Sequence, residues 1–139
     1  MTHKITTIWK GGMLFDSDNP SNHHVLMDTI VEGKERQGLS PKAMMLSSLA
    51  GCSGLDVVSI LEKMKVEVDD FKMEVEGELT EEHPKYYKTV WVTYHFTGTD
   101  LNEEKINRAV QLSVEKYCGV MEMFRQFADV EIDIKFHNK

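Results

Sequence analysis

The sequence predicts an α+β domain with the element order βββ-α-ββ-α(α)-β. Three observations carry this. Short segments at both ends and in the middle alternate apolar and polar residues with the period of a strand. One long segment, Ala43 to Leu61, holds a single charge, Asp56, and is apolar on every side of a helical axis. A second helical pattern, "LNEEKINRAVQLSVEKYC", carries one apolar stripe only. At 139 residues the chain fits one domain, residues 1–139, with enough length to bury a core without disulfides.

The elements follow in order. "KITTIWKGGMLFDS" reads as two strands around a Gly11-Gly12 turn, and "HHVLMDT" as a third strand after the turn cluster "DSDNPSNHH". "VEGKERQGLSPK" is a polar loop that ends in a helix start, with Ser40 as N-cap and Pro41 in the first turn. The helix from Ala43 has Met44, Leu49, Leu55, Val58 and Leu61 around its whole circumference, which predicts burial on all sides. Ser47, Ser48, Gly51, Ser53, Gly54 and Asp56 interrupt it, and no aromatic belt flanks it, so it does not read as a membrane span. The small residues predict a second helix at close approach. A chain this short has trouble covering such a helix, and a second copy would solve that.

"FKMEVEGEL" places Phe71, Met73 and Val75 on one face, and "KTVWVTYHF" does the same with Val90, Val92, Tyr94 and Phe96. Asp100 and Glu103 form a capping-box pattern before the second helix, whose inner stripe reads Ile106, Val110, Ser113 and Tyr117. Gly119 is the expected break, after which "VMEMFRQF" continues as a short helix. The final strand, "DVEIDIKF", alternates Val130, Ile132, Ile134 and Phe136 with charges.

Composition narrows the function. A net charge of −7 and a pI near 5.3 argue against nucleic acid and against anionic membrane surfaces. "MTHKITTIWKGG" has no apolar core of a signal peptide, so the expected location is cytoplasmic and the thiols are expected to be reduced. The two cysteines, Cys52 and Cys118, stand 66 residues apart, which is neither a CxxC motif nor a zinc knuckle. The histidines lack the spacing of a metal site, there is no phosphate-binding glycine loop, and no cofactor is expected. "AGCSG" has the letters of a nucleophile elbow but lies within a helix rather than at a strand-to-helix turn.

The cysteines leave two readings open. A free cysteine in an apolar helix is a common small core residue. It is also a redox nucleophile where small neighbours leave room beside the sulfur, as Ser48, Gly51, Ser53 and Gly54 do around Cys52. Asp56 falls one helical turn beyond Cys52, and a carboxylate there opposes ionisation of a thiol. A reactive Cys52 therefore needs a cation from elsewhere.

"SPKAMMLSSLAGCSGLDVVSIL" followed by "AVQLSVEKYCGVMEMF" resembles the OsmC/Ohr superfamily of thiol peroxidases, with wording closest to its YhfA-like branch. The resemblance covers nearly the whole chain. It implies an OsmC-like fold in an intertwined homodimer, with central cysteine-bearing helices wrapped by antiparallel sheets. It implies reduction of organic hydroperoxides, with Cys52 as the peroxidatic thiol, Cys118 as the resolving thiol and an external dithiol as reductant. One position departs from the family pattern. A glutamate early in the central helix, which holds an arginine against the reactive thiol, is replaced here by Lys42. Of the three arginines, Arg36, just before the helix, is the first candidate to activate Cys52, and Lys10 is the second. Two other classes stay open: a non-catalytic dimeric protein that binds a small apolar or acyl ligand, and a thiol redox sensor.

Overall fold

The structure, a computed structural model, describes residues 1–139. Its elements are β1 (Thr6–Trp9), β2 (Phe15–Asp18), β3 (His24–Met27), α1 (Pro41–Lys63), β4 (Asp70–Leu79), β5 (Tyr87–Gly98), α2 (Glu103–Leu112), α3 (Gly119–Arg125) and β6 (Asp129–Asn138). A single π turn, Ser113–Tyr117, joins α2 to the residue before α3. The order matches the one read from the sequence. The chain divides into two compact units, Met1–Met45 and Leu46–Lys139.

The first unit is an antiparallel meander, β1-β2-β3, with Trp9 opposite Phe15 and Phe15 opposite Met27. Gly11 and Gly12 both adopt positive φ, which is why a glycine pair sits at this turn. Asp28 ties down the loop after β3 by accepting from the backbone N–H groups of Thr29 and Gln37. Those two bonds hold its carboxyl below the usual carboxylate range. Ile8, Trp9, Phe15 and Leu26 are exposed, and Ser17 is the one buried strand residue here.

The second unit holds the core. β5 is the middle strand of β4-β5-β6, and Val90, Val92, Tyr94 and Phe96 are fully buried. The expectation of antiparallel sheets holds for β1-β2-β3 and for β4-β5. β6 runs parallel to β5, because α2, the π turn and α3 form a crossover that returns the chain in the same direction. Phe71 stacks on Phe96 with centroids 4.6 Å apart. Gly77 lies under the ring of Tyr87, where a Cβ would come within 2.6 Å of the ring. A side chain there would push the strands apart.

Burial of α1 differs from the expectation of a helix covered on all sides. Within this chain only Leu49, Ser53, Val57 and Leu61, at i, i+4 spacing, are buried. Met45, Leu55 and Val58 are exposed. α1 has the length and composition to cross a bilayer, but its inner stripe belongs to the same core cluster as β5, α2 and α3. Within the single chain the small residues meet few neighbours. Gly54 admits the sulfur of Met73 on β4, while Gly51 faces open space.

The start of α2 also corrects the reading. Its cap is Asn102, whose side chain accepts from the N–H of Lys105, and Asp100 instead takes a positive φ in the turn before it. The break between the last helices lies at Cys118, which is extended, and Gly119 opens α3 rather than ending α2.

Candidate active site

Cys52 sits in the middle of α1, on a half-buried line with Asp56 and Ile60 beside the buried stripe. Regular helix continues on both sides, so the backbone fixes its direction. Cys118 occupies the opposite kind of backbone. It is the single extended residue between the π turn and α3, and it is 3% exposed. Its N–H donates to the carbonyl of Ser113 across the π turn at 2.9 Å. Its sulfur caps α3, accepting from the N–H of Met121 at 3.3 Å.

The fold brings the two thiols together. Cys118 lies next to Cys52, close enough for its own ionisation to be perturbed, and both are unbridged. Burial, and then the neighbouring Cys52 thiol, push the Cys118 thiol up to about 11. At neutral pH Cys118 is therefore a thiol.

A chain of buried hydroxyls runs alongside. Tyr94 Oη lies 2.6 Å from Ser53 Oγ, which lies 2.7 Å from Ser113 Oγ. Ser113 Oγ is 3.1 Å from Asp56 Oδ2 and 3.3 Å from the carbonyl oxygen of Ser53. An ionised carboxylate only accepts, so the end at Asp56 sets the polarity: Ser113 donates to Asp56, Ser53 to Ser113 and Tyr94 to Ser53. Burial keeps Tyr94 neutral, with its phenol pushed up to about 12. Beyond Asp56 opens a cleft of about 370 Å³, whose walls include Ile60, Lys63, Leu112 and Tyr117.

Sequence reasoning missed this chain as a unit. The available signal was a polar residue in an apolar stripe: Ser113 stands among Ile106 and Val110, and Ser53 in the inner stripe of α1. The stripe expectation fails at its last member. Tyr117 is 54% exposed, because the π turn adds a residue to the turn and rotates the side chains at its end away from the core. Arg125 holds that turn from α3, donating to the carbonyl of Val114 at 2.6 Å while it pairs with Glu122 at 2.7 Å.

Arg36 belongs to the N-terminal unit, and both cysteines belong to the other. It donates to the carbonyl of Asp28 at 3.3 Å and lines a cleft of about 930 Å³. Lys10, the second candidate cation, lines the same cleft, together with Lys34. Lys42 is exposed at the start of α1.

Comparison with known proteins agrees with this architecture. Residues 33–133 match the family model of OsmC-like proteins. The protein YhfA of Escherichia coli (strain K12) is 36% identical over 122 residues, covering 88% of this chain and 89% of that protein. The crystal structure of a hypothetical protein from Aquifex aeolicus VF5 superposes with a TM-score of 0.88 at 28% identity, covering 100% of this chain and 98% of the other. The organic hydroperoxide resistance protein OhrB of Bacillus subtilis shares the fold, with a TM-score of 0.65 at 19% identity over 96% of this chain and 98% of that one.

Proposed function

The chain belongs to the OsmC-like family, and on that premise we propose that it is a thiol-dependent peroxidase that reduces organic hydroperoxides in defence against oxidative stress. The observation that carries the reading is the thiol-to-thiol contact of Cys52 and Cys118, the only cysteines of the chain, across 66 residues of sequence. The name of the Bacillus subtilis neighbour, which refers to organic hydroperoxide resistance, supports the choice of substrate.

The roles follow from the asymmetry of the pair. Cys52 is half-buried whereas Cys118 is buried, so Cys52 is the sulfur that a peroxide reaches. Cys118 is buried and protonated, which suits a thiol that waits. The Cys52 thiolate attacks the terminal peroxide oxygen, the O–O bond breaks, and the alkoxide takes up a proton and leaves as an alcohol. Cys52 is now a sulfenic acid. The sulfur of Cys118 attacks the sulfur of Cys52, the S–O bond breaks, and hydroxide leaves with the Cys118 proton as water. An external dithiol then reduces the disulfide by exchange and is itself oxidised to a disulfide.

The cation that favours the Cys52 thiolate is assigned to Arg36, with Lys10 as the alternative from the same cleft. The whole chain, residues 1–139, is assigned to one OsmC-like domain that works as an intertwined homodimer in the cytoplasm. The exposed apolar residues of α1, and separately those of β1 and β2, support the dimer, since a single chain leaves them uncovered. Light scattering should return twice the 16.0 kDa chain mass; a monomer at micromolar concentration would remove the dimer from the proposal.

The functional test is consumption of cumene hydroperoxide with dithiothreitol, compared with hydrogen peroxide. The expected preference for the organic peroxide is roughly tenfold or more, the scale of apolar pocket discrimination. Consumption of neither peroxide would favour the ligand-binding alternative.

A further inference from the structure

Asp56 is unused by the peroxidase chemistry, yet it lies one helical turn from Cys52 and ends the hydroxyl chain. Its contact is to Ser113, the first residue of the π turn. The carbonyl of that same Ser113 receives the N–H of Cys118 at 2.9 Å. One residue is thus held on its side chain by α1 and holds on its backbone the residue that carries the second thiol. A π turn is a rare, single-turn insertion in a helix, found frequently at functional sites.

We propose that Asp56 is a positioning residue for disulfide closure: through the Ser113 hydroxyl it clamps the π turn, so that the sulfur of Cys118 stays beside Cys52. The clamp rests on the reading of Cys52 and Cys118 as a redox pair, but not on the peroxide as the oxidant. It acts on the second step and not on the attack on a peroxide. It also explains why a carboxylate is tolerated so near a reactive thiol. The groups that face Cys118 are Cys52 and Asp56 from α1 and Tyr94 from β5; of these, Asp56 alone both carries charge and touches the π turn.

The test oxidises the full-length reduced protein with diamide. This azo compound converts two thiols into a disulfide while its N=N bond takes up the two hydrogens. Closure is followed by loss of free thiol and by peptide mapping. Asp56→Ala and Ser113→Ala should each slow closure about tenfold or more, the scale of losing a preorganised geometry. Asp56→Asn keeps an oxygen that accepts from Ser113, so it should restore closure to within about threefold of wild type, less than one hydrogen bond in rate terms. In a Cys52→Ser background, the pH profile of Cys118 alkylation should move down in Asp56→Asn, since a negative charge facing the thiol is gone.

Wild-type closure rates in both Asp56→Ala and Ser113→Ala would overturn the clamp, as would an Asp56→Asn protein as slow as Asp56→Ala. Should Asp56→Ala fail to fold, Ser113→Ala and Asp56→Asn decide. A wild-type protein that closes with diamide and ignores hydroperoxides would count against the peroxidase reading while leaving the clamp in place. A wild type that never closes the bridge would remove both.

Discussion

The segments around the two cysteines are built in opposite ways. Cys52 lies within 23 residues of unbroken α-helix, where every neighbour is set by helical periodicity. Cys118 lies where periodicity stops: a π turn before it, extended backbone at the residue itself, a new helix after it. A regular helix presents its thiol in a fixed direction at a half-buried surface. The irregular junction sinks its thiol into the core and holds that residue through its N–H to Ser113 and its sulfur to Met121. One sulfur is thus fixed by a regular helix at a half-buried surface, and the other by an irregular junction in the core.

Substitution of the cysteines breaks this comparison most severely. Cys52→Ser should lower peroxide turnover by at least roughly a hundredfold, because a hydroxyl does not replace a thiolate nucleophile. Cys118→Ser should permit one oxidation per chain and then stall, with a sulfenic acid at Cys52 that a dimedone-type probe traps. Trapping at Cys118 in Cys52→Ser, with none in Cys118→Ser, would reverse the roles. A smaller effect is expected at the cation. Arg36→Ala should slow the first oxidation roughly tenfold in stopped-flow measurements, the low end for removal of one stabilising group near a developing charge. Arg108→Ala, on the exposed face of α2, should match wild type. Equal rates for Arg36→Ala and wild type would pass the role to Lys10.

The reading of the two segments from sequence divides along the same line. Helical period and the Ser40-Pro41 start were enough to place α1 and the direction of Cys52. Periodicity describes the faces of a helix and not what covers them, so the exposure of Leu55 in a single chain leaves its covering to the proposed second copy. Around Cys118 the amphipathic stripe held through Ser113 and failed at Tyr117, since one extra residue in a turn leaves no trace in a 3.6-residue pattern. The meeting of Cys52 with Cys118, and of Ser53 with Ser113, depends on a contact between α1 and the α2 junction that spacing alone does not encode. The parallel entry of β6 was equally invisible, because alternation is the same in either direction.

Titration sharpens the contrast without altering chemistry. The Cys118 thiol is raised from 9.0 to about 11 in the folded state, so the fold favours its protonated form. That contribution is complete below pH 9 and is lost as pH rises through about 11. Wild type should therefore lose stability relative to Cys118→Ala over that interval in urea denaturation, and parallel curves would contradict the assignment. The smallest effect concerns the hydroxyl chain. Tyr94→Phe removes the donor to Ser53 and keeps the ring, so a loss of about 1 kcal/mol is expected, the net value of one buried hydrogen bond. A change near zero in thermal or urea midpoint would mean that the chain beside the thiols adds nothing to stability.

The most direct measurement is peptide mapping under non-reducing conditions after one equivalent of cumene hydroperoxide. The expected product is a single new species, an intrachain bridge between Cys52 and Cys118, reversed by dithiothreitol. With no other cysteine in the chain, no other pair blurs the result. Bridge formation requires the two Cα atoms to come within about 4.4–6.8 Å, which the existing thiol contact favours. Two free thiols after excess hydroperoxide, or a bridge only between chains, would contradict the pairing of Cys52 with Cys118 as a peroxidatic and resolving couple.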